Sequence, residues 1–280
     1  MKIIFTLVVF TLSASCFSQT VSKLWETEAV FAGPESIAYD SKRDLLYVSN
    51  LRKTEKSDIY YGNNFISKVS LSGKILELKW IKNLTEPTGI TIFQDRLYIV
   101  ERFGVVVFDI KTESVIQRIR VPSNGFLNDV AVHESGTIFV SDSDSSNIFS
   151  IKEKNVEVWY SGPAAKQTNG IFMDGDNLLM ASNADAAINA INVHTKKTHL
   201  ISHIKRGVID GIQTIGNDYL VSLFEGYLFR ITKTGKYTEI MNTTELPLNN
   251  ADFVYIEKAN LLVVPALWQH KLVAFKLEQE

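Results

Sequence analysis

Acid and amide side chains recur at one point of a repeated segment. They are Glu35, the pair Asn128 and Asp129, Asn169 and Asp210, with Thr88 and the run Asn250-Ala251-Asp252 at the same point of two further copies. Carboxylate and carboxamide oxygens are what a hard divalent cation takes, and Ca²⁺ accepts about six to eight of them from carboxylates, amides and water. Two carboxylates and two amides suit such an ion. Imidazole and thiolate, which draw zinc and copper, do not occur at these positions, and that points away from a transition-metal centre there. A second set, Asn50, Glu101, Asp142 and Asn183, ends the second strand of four copies. Hairpin geometry returns these ends beside the first set, where they could support the ligands or touch a substrate.

The elements that must position these groups follow from the repeat. Each copy is a polar start, a short strand, a turn and a second strand, as in Asn128-Asp-Val-Ala-Val-His leading to Ile-Phe-Val-Ser-Asp142. The starts lie 128 − 88 = 40, 169 − 128 = 41, 210 − 169 = 41 and 251 − 210 = 41 residues apart, after a first interval of 88 − 35 = 53. A period of about 40 to 45 residues with several short strands per unit is that of propeller blades. The rest of each copy holds two more strands, for example Asn147-Ile-Phe-Ser-Ile and Asn155-Val-Glu-Val-Trp-Tyr. The expectation is an all-β chain, a six-bladed β-propeller with four antiparallel strands per blade. Turn signals such as Gly175-Asp176-Asn177 and Lys233-Thr234-Gly235 divide the strands. Inner strands of a propeller flank a central channel, so their leading ends face one another from different blades. The longer first interval, around Arg52 to Asp58, reads as an extended surface loop. Ser22 to Glu28 can lend a strand to the last blade, which removes an exposed edge.

Composition excludes several classes. With 29 Lys+Arg against 31 Asp+Glu in 280 residues, the chain lacks the cationic surface of a nucleic-acid binder. Six prolines leave no Pro-rich linker. Lys2 and the apolar run Ile3 to Leu12, followed by small and polar residues, read as a secretory signal peptide over residues 1–18. That run is shorter than the roughly 20 residues a membrane-spanning helix needs, so no transmembrane segment is expected. The mature domain, residues 19–280, is then exported to the periplasm or the extracellular space. Cys16, the single cysteine, falls inside the leader, which leaves no disulfide. The alternative is lipid anchoring at Cys16, because Ser13-Ala14-Ser15-Cys16 loosely resembles a bacterial lipobox without its leucine.

Plainer roles exist for several of these residues. Asn-Gly and Asp-Gly pairs often serve only to admit a left-handed backbone. Local turn chemistry does not, however, require polar starts to recur in register across four blades. Asp142-Ser-Asp144-Ser-Ser-Asn147 has the look of a calcium loop but lacks the glycine and distal glutamate of one, and reads as a solvated hairpin. The five histidines, His133, His194, His199, His203 and His270, show no metal-binding spacing and read as surface or packing residues.

From Pro34 to Leu277 the chain resembles the senescence marker protein, gluconolactonase and regucalcin family and, more distantly, the paraoxonases. The resemblance rests on a glutamate opening the first blade, an Asn-Asp step, an Asn-Gly step and an Asp-Gly step, in order and at blade spacing. It implies a channel-bound divalent cation, Ca²⁺ first among the possibilities, held by Glu35, Asn169 and Asp210, with Asn128 close to metal and substrate. It also implies a metal-dependent hydrolase acting on a small-molecule lactone or related ester. Asp210 would be both ligand and proton acceptor, and Asp129 the competing base if it points into the channel. Family members usually carry an arginine two residues before the Asn-Asp asparagine; this chain has Phe126, which favours a less hydroxylated substrate. The rival expectation is a non-catalytic propeller that binds a small ligand or a protein partner.

Overall fold

The computed structural model describes residues 21–51, 64–205, 207–246 and 248–278. The leader read at residues 1–18, Cys16 within it and the loop around residues 52–58 lie outside the described residues.

Six four-stranded antiparallel sheets follow one another along the chain. Their inner strands are Pro34–Asp40, Ile90–Phe93, Leu127–Val132, Thr168–Asp174, Ile209–Ile215 and Val254–Ile256. Helix among the described residues amounts to two single 3-10 turns, Pro163–Ala165 and Glu257–Ala259. None is long and apolar enough to cross a membrane. The expected all-β propeller of six blades is thus the fold.

The burial of each strand shows why these sequences form blades. Second strands such as Ile138–Asp142 and third strands such as Gly104–Asp109 are buried almost throughout, because a blade has a neighbour on both faces. Their runs of Val, Ile and Phe are therefore continuous rather than alternating. Outer strands such as Ser114–Arg120 face water and are mostly polar or exposed. Among the described residues six large apolar clusters are each shared by two adjacent blades, and a small seventh joins Leu51, Ala251 and Leu267. Between blades five and six, for instance, Leu220 and Leu228 meet Phe253 and Leu262.

The ring closes as expected from the segment Ser22 to Glu28. Val21–Glu26 is the outer strand of blade six and pairs antiparallel with Lys271–Leu277, from Val21 opposite Leu277 to Glu26 opposite Val273. A register shift between Lys23 and Trp25 bends this strand. The Trp25 indole then reaches blade one, donating from Nε1 to the Leu71 carbonyl at 3.0 Å.

Candidate functional site

Strand register shows which residues occupy equivalent points. Ile37, Ile90, Val130, Ile171, Ile212 and Val254 pair with Val48, Ile99, Val140, Met180, Val221 and Val263, and so share one level. Two residues earlier stand Glu35, Thr88, Asn128, Asn169, Asp210 and Asp252. Five of these six carry a carboxylate or carboxamide at the leading end of an inner strand. Glu35, Asn128 and Asp210 are buried, while Asn169 and Asp252 are half-buried. The sequence-predicted ligands Glu35, Asn128, Asn169 and Asp210 therefore do share one level. Asp252 joins them, where the repeat interval had placed Ala251.

Local backbone explains their presentation. In blades one, three, four and five the pairing slips between the first residue of the inner strand and the level of Ile37, Val130, Ile171 and Ile212. Glu35, Asn128, Asn169 and Asp210 sit in this slip, and such irregularities re-aim side chains. A serine from the second strand takes the freed amide in alternate blades. Ser49, Ser141 and Ser222 Oγ accept from the N–H groups of Ser36, Asp129 and Gly211, each at 2.9 Å. Ser141 and Ser222 pass the contact on, donating to the carbonyls of Asn169 at 2.7 Å and Ala251 at 3.2 Å in the next blade. In the sequence these serines show as Val-Ser steps in the second strands of alternate blades.

The glycines of the Asn-Gly and Asp-Gly steps have a purpose other than the turn chemistry considered above. Neither Gly170 nor Gly211 has a positive φ. A Cβ on Gly170 would lie 2.1 Å from the Asp210 carbonyl oxygen, and one on Gly211 would lie 2.5 Å from Asp252 Oδ1. They allow adjacent blades to bring their polar starts together.

Asp129 points into the channel. Its Oδ1 accepts the Val130 N–H at 2.7 Å and its Oδ2 accepts the Ile171 N–H of the next blade at 2.8 Å. Burial pushes its carboxyl well above the usual range, and the nearby Asp252 and Asp210 push it further against the pull of those two N–H groups. Asp252 is also raised, to about 7, by burial; the Ser36 hydroxyl, donating to Oδ2 at 2.5 Å, lowers it in part. Asp129 belongs to blade three and Asp252 to blade six, so the pair faces across the axis.

A cavity of about 400 Å³ occupies the channel beyond this pair. Its wall includes Asp129, Asp252, Phe172, Gln213 and Tyr255, but not Glu35, Asn128, Asn169 or Asp210. Asp129 and the ring residue Asp252 thus border the cavity, while the other acids and amides of the ring level stand outside its wall. The oxygens are the better guide to chemistry, because six converging strands leave a central void in any case, whereas nothing in the fold requires acids at one level.

The second set of sequence-predicted residues divides. Glu101 receives the Thr85 N–H on Oε1 at 2.7 Å and Arg118 on Oε2 at 2.6 Å. Asp142 accepts from Ser145 N at 3.0 Å and from the Ser123 hydroxyl. Asn50 is engaged by Ala32 N, Val48 O and Ser67. These three anchor loops. The solvated-hairpin reading of residues 142–147 agrees in form, with Asp142 capping the turn. Asn183 differs because it lies one position further on, in register with Ser143 rather than Asp142. Its Oδ1 is buried with no hydrogen bond. Phe126 is half-buried just before the inner strand of blade three. Asn128 donates from Nδ2 to Ser143 Oγ at 3.1 Å, which leaves its carbonyl oxygen as the end free to turn elsewhere.

The donor set fits a hard divalent cation. It consists of carboxylate and amide oxygens, and two buried amide oxygens at the same end of the blades, Asn183 Oδ1 and Asn250 Oδ1, have no hydrogen-bond partner. At the opposite end, His133, Asp176 and His194 come together from separate turns. His133 is buried and His194 exposed, as packing and surface residues, and no spacing along the chain marks their meeting.

No protein-family model matches the chain, and no curated protein matches it. Solved structures do. A gluconolactonase of Xanthomonas campestris is 13% identical with a TM-score of 0.71, over 96% of this chain and 94% of that one. A putative gluconolactonase is 14% identical with a TM-score of 0.68, over 93% and 92%. Virginiamycin B lyase of Staphylococcus aureus, in a catalytically inactive form with quinupristin, is 12% identical with a TM-score of 0.67, over 93% and 100%. The neighbours thus include gluconolactonases, as the resemblance implied. At these identities the likeness establishes the fold alone.

Proposed function

We propose that the protein is an exported, divalent-cation-dependent hydrolase that opens a lactone or a related ester at the oxygen ring of its channel. The observation that supports this most is the ring itself, with acids or amides at five of six equivalent positions. Glu35, Asn169 and Asp210 hold the cation, Ca²⁺ first among the candidates, and Asn128 and water complete its shell. Bound there, the ion supplies a Lewis acid for the substrate carbonyl. Asp210 takes the proton from the attacking water. Asp129 is the rival base, although its two backbone N–H bonds already hold both its oxygens. Phe126 offers an apolar contact where a guanidinium would favour a polyhydroxylated substrate.

A panel of lactones and aryl esters, assayed on mature protein with Ca²⁺, Mg²⁺, Mn²⁺ and Zn²⁺, tests this. Asp210→Asn should lower turnover by a factor on the order of 10² to 10⁴, and Asp129→Asn only mildly. Wild-type turnover in Asp210→Asn at saturating metal would overturn the assignment. A second function, a non-catalytic propeller binding a small ligand, is favoured by the separate cavity of about 400 Å³. An inert panel combined with ligand binding that survives Asp210→Asn would support it. N-terminal sequencing of secreted protein tests export: a start near Gln19 supports simple cleavage, and a blocked Cys16 supports a lipid anchor.

A further inference from the structure

His133, Asp176 and His194 meet at the end of the blades remote from the oxygen ring. His133 follows the inner strand of blade three, Asp176 lies in the turn after the inner strand of blade four, and His194 follows the third strand of that blade, Ala187–Asn192. Both imidazoles aim Nε2 at the same oxygen. His133 Nε2 is 3.1 Å and His194 Nε2 is 3.2 Å from Asp176 Oδ1. The two rings stand edge to face, 5.8 Å between centroids.

We propose that these three side chains form a binding site for a divalent transition metal of the Zn²⁺ class, which clasps blade three to blade four. A tetrahedral zinc ion with bonds of about 2.0 to 2.2 Å has ligand atoms about 3.3 Å apart. Two edges of the triangle are already 3.1 and 3.2 Å, and all three ligand atoms lie within 4.8 Å of one another. Imidazole nitrogens with one carboxylate oxygen are a donor set that zinc accepts readily and calcium poorly.

The backbone holds the three turns in place independently of the side chains. Val193 N donates to the Asp176 carbonyl at 2.8 Å, which sets His194 beside Asp176. His133 N donates to Thr137 O at 2.9 Å, which closes the turn on the blade-three side. The partner of the far imidazole nitrogen is present as well. Ser135 Oγ lies 2.8 Å from His133 Nδ1 and can accept its proton once Nε2 is on the metal, the arrangement that orients many zinc-bound histidines. The Ser135 N–H, 3.2 Å from the same nitrogen, then loses its acceptor. That loss and the exposure of His194 and Asp176 make this a weaker site than a closed structural one. Three protein ligands leave the fourth tetrahedral position to water or an external donor.

The test uses mature protein without a histidine tag, stripped with chelator and then kept in excess Ca²⁺ so that hard-cation sites are satisfied. Calorimetry with Zn²⁺ should show one saturable site, and imidazole ¹⁵N resonances should report coordination through Nε2 of His133 and His194. His194→Ala, at an exposed turn, should weaken binding by about tenfold or more. Asp210→Ala should leave it unchanged, so the outcome is separable from that of the proposed hydrolase. Equal Zn²⁺ binding by wild type and His194→Ala, or no saturable Zn²⁺ binding by wild type, would overturn the proposal.

Discussion

Replacing Asp252 by asparagine should change how stability depends on pH in the metal-free protein. Burial holds the Asp252 carboxyl at about 7 in the folded chain, against an ordinary value of 3.8. The folded state therefore keeps a proton that the unfolded chain has already released. Stability is greatest below about pH 4 as far as this group is concerned, falls as pH rises toward 7, and levels off above. A difference of 7 − 3.8 = 3.2 at about 1.4 kcal/mol per unit gives about 4 kcal/mol as an upper bound, since Asp129 titrates in concert with it. In Asp252→Asn the amide oxygen can still accept the Ser36 hydroxyl, and this part of the slope should vanish. Urea unfolding with chelator, at steps between about pH 4.5 and 7.5, compares the two proteins. The wild type should lose up to about 3 kcal/mol relative to the variant across that range, about 1 kcal/mol having already gone by pH 4.5. Millimolar Ca²⁺ should restore much of the loss, because a cation in the channel favours the ionised carboxylates. Parallel curves for wild type and variant would refute the assignment of a raised Asp252 carboxyl.

Three further outcomes follow from the contacts described. Gly170→Ala drives a Cβ against the Asp210 carbonyl at 2.1 Å and should cost about 3 kcal/mol or more, whereas Gly136→Ala, with open space but a φ of 83°, should cost about 1 to 2 kcal/mol; thermal unfolding reads both. Trp25→Ala removes the indole that joins the closing strand to blade one, and a loss of about 2 to 3 kcal/mol is expected in urea unfolding. Glu101→Gln breaks an ion pair with the half-exposed Arg118, so it should cost less than about 1 kcal/mol and leave Ca²⁺ binding by calorimetry unchanged.

The blades were legible because a strand wedged between two neighbours needs the same apolar run in every copy, and that need repeats at a nearly constant interval. The ligand level was legible for a related reason: Glu35, Asn128, Asn169 and Asp210 open their strands at the same point. In the sixth blade the interval pointed to Ala251 within the run Asn250-Ala251-Asp252, while pairing of Val254 with Val263 selects Asp252. Asn183 was misplaced by one position, because Met180-Ala-Ser182 is level with Val140-Ser-Asp142 and Asn183 falls one residue beyond. Counting cannot see a slip in register. The roles of Glu101 and Asp142 were hidden because alternate residues of a strand face opposite ways, and nothing local says which carboxylate will meet an arginine or a serine. His133, Asp176 and His194 lie in three turns of two blades, so their meeting has no linear signature.

Closure by Val21–Glu26 against Lys271–Leu277 has a bearing on assembly. Among the described strands, the one made earliest waits for the one made latest, with about 250 residues between partners. Five blades can form from contacts within their own segments and with a neighbour, while the sixth joins the most distant parts of the chain and must bear the entropy of that long loop. The ring should therefore finish only once Lys271–Leu277 has been made, and a chain cut short within that strand should fail at the seam first.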